Sequence, residues 1–303
     1  MTATISPLVP CPSDPATPAV ISSAALRIDP ARISRYLGEV ADRVVLPRWR
    51  RLGTDDVRVK SDRSLVTIAD LEAEAMLIPI LEGSLPGSIA IGEESVCRDP
   101  GILDALQGDS PVWIVDPVDG TSAFSRGEDN FGMLLSLAYR GEIVAAWAYF
   151  PVLGHLLVAQ AGAGAFCDGL PACPCREAPD TLALVGRYNT KKLAPALLEA
   201  TSGILDRHPG MNHDTHSSWE YRRLLSGEPG IYLTSHTTPW DTAGGYLLAT
   251  EAGCAVNNID ETPYRVGDIA GTLLYVGQPE AWGQVRDTLF PEERGPTLPS
   301  FRP

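Results

Sequence analysis

The sequence contains no apolar run that approaches the roughly 18 residues of a membrane-spanning helix. It also lacks an excess of basic residues: 24 Lys and Arg stand against 38 Asp and Glu, which gives a formal net charge of −14. A surface this acidic repels nucleic-acid backbones and anionic lipid. We therefore predict neither a nucleic acid nor a membrane as a partner, and an anionic small substrate would need local compensation by metal ions.

The N-terminal region lacks the features of a secretory signal peptide, because its first 22 residues hold five prolines, no Lys or Arg and no apolar segment. We interpret residues 1–24 as a disordered proline-rich tail and 291–303 as a second tail, and we predict a cytoplasmic protein. The six cysteines form no repeating framework. Cys173-Pro174-Cys175 is too closely spaced for a zinc pair, which usually has about two to four intervening residues.

The composition favours a folded α/β (α+β) protein, since 44% of the 303 residues are hydrophobic and 20% are charged. Residues 25–178 predict an antiparallel sheet covered by helices, and residues 179–290 alternate strands and helices. The predicted helices lie at about 28–50, from Asp70 to about Gly83, and near 193–206, 218–226 and 242–252. The predicted strands lie at 88–92, 112–116, 131–139, 143–150, 156–159, 182–185, 231–233 and 272–276, with a glycine-rich turn at 161–169.

The chain is organised around residues 112–122, where an apolar run stops at two carboxylates, a proline and a glycine. The pattern predicts a buried strand that carries acidic groups at its end. Pro117 has no N–H and holds Asp116 in an extended conformation, so we expect that the strand cannot simply continue past it.

The residues that follow are suited to bind an anion beside these carboxylates. Gly120 allows close approach of a ligand, and Thr121 or Ser122 can cap a helix whose first N–H groups remain available. Carboxylates beside an anion site need a cation that lies between the carboxylates and the anion. Oxygen donors of this kind suit Mg²⁺.

Asp116-Pro117-Val118-Asp119-Gly120-Thr121 resembles the signature of the inositol monophosphatase family, the Mg²⁺-dependent, lithium-sensitive phosphomonoesterases. Three further matches stand in the family's order: Lys60-Ser61-Asp62 with Leu65 to Asp70, Gly92-Glu93-Glu94-Ser95, and Trp240 to Gly244. Each match taken alone could be a turn, a helix cap or surface acids. The resemblance covers residues 35 to 290 and implies a layered α-β-α-β-α sandwich that forms a homodimer.

The resemblance implies two or three Mg²⁺ ions in one site. Glu93, Asp116 and the main-chain carbonyl of Val118 would hold one ion, and Asp116, Asp119 and Asp241 would hold a second. Asp70 would serve a more weakly held ion or its waters. The cluster also needs cations on physical grounds, because two carboxylates about 4 Å apart repel by about 4 kcal/mol at an effective dielectric near 20.

The catalytic roles follow from the same resemblance. One ion would activate a water, and the pair would stabilise the entering and leaving oxygens. The residues implied in catalysis are Glu93, Thr121 and Asp70, and those implied in substrate and phosphate binding are Gly120, Thr121, Ser122, Asp119 and Asp241. The sequence has no Gly-x-Ser-x-Gly motif, so no covalent intermediate is needed.

The substrate stays open at this point. Inositol-specific members have a Glu seven residues before the last metal-binding Asp, and Thr234 stands there in this chain. We expect inositol 1-phosphate, with histidinol phosphate or a 3′(2′),5′-bisphosphate nucleotide as alternatives. The nearby basic residues could reach the pocket or lie on the surface: His213, His216, Arg222 and Arg223. A catalytically silent protein that binds a phosphometabolite is the alternative of another class.

Overall fold

The structure is a computed structural model that describes residues 21–23, 26–172, 174, 186–188, 211–212, 215–228, 230–235, 237–269 and 271–290. The strand predicted at 182–185 and the helix predicted near 193–206 lie outside these residues. So do the two predicted tails, apart from Ile21–Ser23, which forms a short strand.

The strands of the described residues are β1 (Ile21–Ser23), β2 (Leu26–Ile28), β3 (Val57–Val59), β4 (Leu65–Thr67), β5 (Ile89–Gly92), β6 (Val112–Asp119), β7 (Gly132–Tyr139), β8 (Glu142–Phe150), β9 (His155–Gln160), β10 (Gly164–Cys167), β11 (Leu170–Pro171), β12 (Gly186–Tyr188), β13 (Met211–Asn212), β14 (Ile231–Thr234), β15 (Ala255–Asn258) and β16 (Leu273–Val276). The α-helices are α1 (Pro30–Val40), α2 (Leu46–Arg48), α3 (Ile68–Ser84), α4 (Glu93–Arg98), α5 (Thr121–Ser125), α6 (Ser217–Leu225), α7 (Pro239–Glu251) and α8 (Trp282–Leu289). None of these helices is long and apolar enough to cross a membrane.

Two sheets form the framework. The larger has seven strands in the order β11-β10-β9-β8-β7-β6-β5, antiparallel throughout except for the parallel pair β5 and β6. The smaller has five described strands in the order β13-β12-β14-β16-β15. Because β5 and β6 run parallel, the residues that follow them emerge at the same edge of the large sheet.

The helices and sheets alternate in layers. Helices α1 and α3 pack with Trp113 and Trp147 on one face of the large sheet. Helices α6 and α7 lie between the two sheets, where Leu248 shares a core with Ala146 and Tyr275. Helix α8 covers the outer face of the small sheet. This is the α-β-α-β-α arrangement that the resemblance implies.

Several predicted elements are confirmed with small changes of boundary. The hairpin of β7 and β8 turns at Arg140 and Gly141, whose φ angles of 53° and 78° match the two-residue turn that favours the twist of hairpin strands. The first long helix is interrupted by a π-helical turn at Ala41–Val45. That turn ends two residues before Pro47, which has no N–H to donate to an α-helical ladder.

Other expectations were wrong. Strand β6 does not stop at Pro117 but runs to Asp119, and the chain turns at Gly120. Helix α3 begins at Ile68, two residues before Asp70. The predicted turn at 161–169 contains strand β10, and the sequence patterns gave no indication of β15 or α8.

Candidate metal and phosphate site

Three aspartates meet at one end of the large sheet. Asp116 and Asp119 come from β6, and Asp241 is the third residue of α7. One carboxylate oxygen from each lies within 4.8 Å of the others. Asp116 and Asp119 are buried, and Asp241 is half-buried. The structure thus brings together acids that are far apart in the sequence.

A β-bulge places Asp116 and Asp119 on the same side of the sheet. Residues three apart in a regular strand face opposite ways, because side chains alternate. Here Asp116 pairs with Leu134 and Asp119 pairs with Gly132, so β6 has one extra residue over this interval. The extra residue shifts the alternation and turns both carboxylates toward the layer that contains α7. The structure accommodates Pro117 at this irregularity, which is why the strand continues past it.

The pKa of Asp116 lies well above its usual range. Burial is the largest cause, and the negative charges of four neighbouring carboxylates add to it: Glu93, Asp119, Asp241 and Asp70. Only the N–H of Val118 donates to this carboxylate among the described hydrogen bonds, over 3.1 Å to Oδ1. The cluster therefore favours the uptake of protons or cations.

Gly120 and Thr121 form the turn into α5. Gly120 has a left-handed φ of 90°, a conformation that glycine adopts without strain. The hydroxyl of Thr121 lies 3.1 Å from the carbonyl oxygen of Val118 and 3.3 Å from Oδ1 of Asp70. Ser122 is exposed, and its hydroxyl accepts a hydrogen bond from Arg126. The first N–H groups of α5 have no acceptor within the helix and are available to an anion.

Asp70 is buried beneath this turn. It belongs to a capping box in which its Oδ2 accepts the backbone N–H of Thr67 over 2.8 Å and the Thr67 hydroxyl over 2.5 Å. The sequence suggested that Asp70 opens the helix, but Thr67 is the N-cap, and Asp70 fills the third helical position. Burial raises the pKa of Asp70 to about 6, against the effect of its hydrogen bonds from Thr67.

Lys60 joins the site through Glu93 and Glu94. Its ammonium lies 2.7 Å from Oε1 of Glu93 and 2.5 Å from Oε1 of Glu94. Burial by itself would lower the pKa of Lys60, but the charges and hydrogen bonds of the two glutamates outweigh it and raise the pKa. Burial raises the pKa of Glu94 to about 7, although Lys60 opposes the shift. Glu93 thus has one oxygen bonded to Lys60 and a second that can face a cation.

Several contacts of the site were missed from the sequence. Ser218 donates its backbone N–H to Oδ2 of Asp119 over 2.5 Å, and the hydroxyl of Tyr221 donates to the carbonyl oxygen of Asp241 over 2.8 Å. Thr238, the N-cap of α7, donates to the carboxylate of Asp241. No local motif marks Ser218 and Tyr221, because their partners lie in other elements, whereas Thr238 and Asp241 are three residues apart at the start of one helix.

Of the residues considered for the substrate, Thr234 is buried at the end of β14, and its side chain is hydrogen-bonded to Tyr232. His216 lies against Gly120. Arg222 is buried and stacks over Trp219, while Arg223 forms ion pairs with Glu220 and Glu228. His213 lies outside the described residues.

The comparisons with known proteins agree with the four motifs. A model of the inositol monophosphatase family matches residues 32–283. The chain belongs to this family. Members named inositol-1-monophosphatase are phosphoric monoester hydrolases, and the chain belongs to that class of enzymes.

Curated relatives of the chain carry two kinds of name. An inositol monophosphatase of Dictyostelium discoideum is 31% identical over 205 residues, which cover 66% of this chain and 74% of the relative. A protein of Vibrio cholerae named Nus factor SuhB is 27% identical over 202 residues, covering 66% of this chain and 73% of the relative.

Solved structures share the fold. The inositol monophosphatase of Thermotoga maritima superposes with a TM-score of 0.72 at 22% identity, covering 88% of this chain and 100% of that one. The staphylococcal enzyme SaIMPase-II with bound inositol monophosphate gives a TM-score of 0.68 at 21% identity, with 87% and 94% of the two chains covered.

Proposed function

We propose that this enzyme hydrolyses a small-molecule phosphate monoester with the help of Mg²⁺ held by Asp116, Asp119 and Asp241. The observation that carries the proposal is the meeting of these three carboxylates within 4.8 Å beside the Gly120 turn. When bound, the cation supplies stabilisation of the phosphoryl charge and makes a water molecule more acidic. Glu93 and the carbonyl oxygen of Val118 complete the proposed set of ligands.

The donor set fits a hard divalent cation. All the groups are oxygens, and the raised pKa of Asp116 expresses repulsion among carboxylates that a positive ion would relieve. The carbonyl oxygen of Val118 lies 3.1 Å from the Thr121 hydroxyl, and because it has two lone pairs, at least one remains for an ion whichever acceptor the hydroxyl donates to. Thus the buried acids are compatible with one another once cations are present.

Thr121 and Asp70 are the residues that we assign to the attacking water, together with Glu93. The Thr121 hydroxyl has a single proton, and when it donates to Asp70, its lone pairs face outward to accept from a water. Asp70, with a pKa of about 6, is mostly ionised at neutral pH and is suited to accept a proton. The phosphate would rest on the N–H groups of Gly120 and Thr121, near Ser122.

We take inositol 1-phosphate as the first candidate substrate. In support, the Dictyostelium relative is named an inositol monophosphatase, and SaIMPase-II has been solved with inositol monophosphate and with 2′-AMP. Thr234 offers a hydroxyl where inositol-specific members have a carboxylate, so histidinol phosphate and bisphosphate nucleotides belong in the same test. Lithium inhibition, a homodimer and a cytoplasmic location complete the proposal, as the family resemblance implies.

The test is phosphate release from a panel of esters with Mg²⁺, with EDTA, and with Mg²⁺ plus LiCl. The panel contains inositol 1-phosphate, histidinol phosphate, 3′-phosphoadenosine 5′-phosphate and 2′-AMP. We expect Mg²⁺-dependent, lithium-inhibited turnover, and the ester with the highest kcat/KM identifies the substrate class. If no ester is hydrolysed but one binds in calorimetry, the protein is the silent phosphometabolite binder, and the enzymatic proposal is wrong.

A further inference from the structure

The imidazole of His216 covers the turn on which the phosphate is proposed to rest. A methyl group placed on Gly120 would come within 2.8 Å of Nε2 of His216 and within 2.9 Å of its Cδ2. The ring edge that carries Nε2 is therefore directed at Gly120, the residue that begins α5. The three atoms nearest to that position of Gly120 all belong to the His216 ring.

Nε2 of His216 is buried and has no hydrogen-bond partner among the described residues. A buried polar atom without a partner is uncommon in folded proteins, because it loses its bonds to water and gains none in return. Its location beside an anion-binding turn suggests that the missing partner is a ligand. The hydroxyl of Ser218 is also unpaired, but it packs against Gly132, the partner of Asp119 in β7, whereas Nε2 of His216 packs against Gly120.

The backbone holds His216 in a fixed relation to the carboxylate cluster. His216 is the N-cap of α6, with an extended φ of −135°, and its own side chain does not cap the helix. Two residues further on, Ser218 donates its N–H to Asp119 over 2.5 Å. The helix that positions His216 is thus bonded to one of the proposed metal ligands, and the half-buried ring lies beside the site.

We propose that the Nε2–H of His216 donates a hydrogen bond to an oxygen of the phosphoryl group bound on the Gly120 turn. This inference rests on the proposed phosphatase function and adds a residue to it. The neutral tautomer with its proton on Nε2 is sufficient. The neighbouring carboxylates repel a phosphate, so each hydrogen-bond donor that faces it contributes to binding.

Phosphate is favoured over the alcohol part of the substrate because Nε2 is directed at Gly120 itself. The phosphoryl group is proposed to rest on the N–H groups of Gly120 and Thr121, so Nε2 is directed at the place where that group would lie. A donor at this place therefore binds whatever is common to all the candidate esters. It would raise the affinity for inorganic phosphate, the product, as well as for the substrate.

The experiment compares His216→Phe, which keeps a ring but has no donor, with His216→Gln, whose amide can place a donor near Nε2. For His216→Phe we expect KM for the preferred ester and Ki for inorganic phosphate to rise together, by about 10- to 100-fold, while kcat falls by less. His216→Gln should restore most of the affinity. Affinity for Mn²⁺, measured by calorimetry without phosphate, should be the same in all three proteins.

The outcomes separate this inference from the proposed function. An unchanged Ki for inorganic phosphate in His216→Phe overturns the inference. If KM for the ester rises while this Ki is unchanged, His216 contacts the alcohol part of the substrate and not the phosphate. If the wild type hydrolyses no ester, the proposed function fails. The inference about His216 is then tested by calorimetry of inorganic phosphate binding in the presence of Mg²⁺. Weaker binding in His216→Phe than in the wild type then supports the inference, and equal or absent binding overturns it.

Discussion

The hydroxyl of Thr121 lies 3.3 Å from Oδ1 of Asp70, although the two residues are 51 positions apart in the sequence. The contact connects the turn after β6 to the first turn of α3. It lies beside the carboxylate cluster, since the charge of Asp70 is among those that raise the pKa of Asp116. Each of the two residues therefore has a partner that fixes its orientation before a substrate binds.

Replacing Thr121 by Val should lower kcat by about 100- to 10,000-fold, the range of a lost acid–base contribution, because Val has a similar shape but no hydroxyl. Thr121→Ser is the matched control and should retain most of the activity, since it keeps the hydroxyl. Steady-state kinetics with Mg²⁺ measures both, and circular dichroism checks the fold. Near-wild-type kcat in Thr121→Val would exclude a role of the hydroxyl in activating water.

Asp116→Asn and Asp241→Asn each remove a negatively charged ligand and should cut Mg²⁺-dependent phosphate release by orders of magnitude while the fold is retained. Asp116→Asn should also stabilise the metal-free protein, because it relieves repulsion within a buried cluster. The control is Asp109→Asn, an exposed acid far from the site. Full activity in either site variant would contradict the metal assignment.

Mg²⁺ should stabilise the protein more as the pH rises from about 4 to 7. The pKa is about 6 for Asp70 and about 7 for Glu94, against about 4 for both side chains in an unfolded chain. The metal-free folded state thus holds more protons than the unfolded state in this range. Its stability from these groups is greatest at low pH and declines with rising pH, by about 2 to 3 kcal/mol for Asp70.

The measurement is urea unfolding at several pH values, once in EDTA and once in saturating Mg²⁺. The difference between the two free energies of unfolding should widen with pH up to about pH 7, where Asp70 is mostly ionised and Glu94 is still about half protonated, and it should go on widening until Glu94 is ionised as well. A difference that is constant over this range would mean that Mg²⁺ does not compete with protons at the site.

Gly120→Ala should reduce both stability and activity, for two reasons that a control can separate. Alanine is strained at a φ of 90°, and its methyl group would meet the imidazole of His216. Gly141→Ala has the first problem without the second, since φ is 78° there and nothing lies within 4 Å. Gly141→Ala should cost about 1 to 2 kcal/mol of stability and leave activity intact.

The double variant Gly120→Ala, His216→Ala tests the contact directly. Removing the ring should recover the part of the stability loss that comes from the clash, and thermal unfolding of the single and double variants gives this coupling. Strictly additive losses would indicate that the imidazole moves away without cost.

Gly245→Ala should destabilise the protein by about 1 to 3 kcal/mol or more, because its methyl group would overlap the ring of Tyr221. Since Tyr221 also bonds the carbonyl oxygen of Asp241, activity should fall with it. Gly38→Ala is the control, because it lies in α1 with open space around it and should be neutral or slightly stabilising. Thermal unfolding of the two variants makes the comparison.

The sequence was sufficient to predict the parts of the fold and site whose signals are local. Apolar patterns located α1, α3 and seven of the sixteen described strands. Two of the four motifs contain the three aspartates that meet at the end of the large sheet. A carboxylate that follows a short apolar strand is visible in the sequence itself, as at Glu93 and Asp116.

The contacts between elements could not be predicted in the same way. Lys60 was noted as part of a motif, but nothing in the sequence indicated that it would bridge Glu93 and Glu94. The hydrogen bond from Ser218 to Asp119 and the position of His216 depend on how α6 packs between the sheets. Strand β10 was hidden because its glycines also suit a turn.

Because of the bulge in β6, the face of the sheet on which each acid lies depends on how many residues β6 and β7 have over this interval. A chain with one residue more in β7, between Gly132 and Leu134, could pair the two strands over this interval without a bulge. Asp116 and Asp119, three residues apart in a regular strand, would then face opposite sides of the sheet, and one of them would point away from Asp241. An otherwise normal fold can therefore lose this chemistry through a single insertion in the neighbouring strand that changes none of the acids.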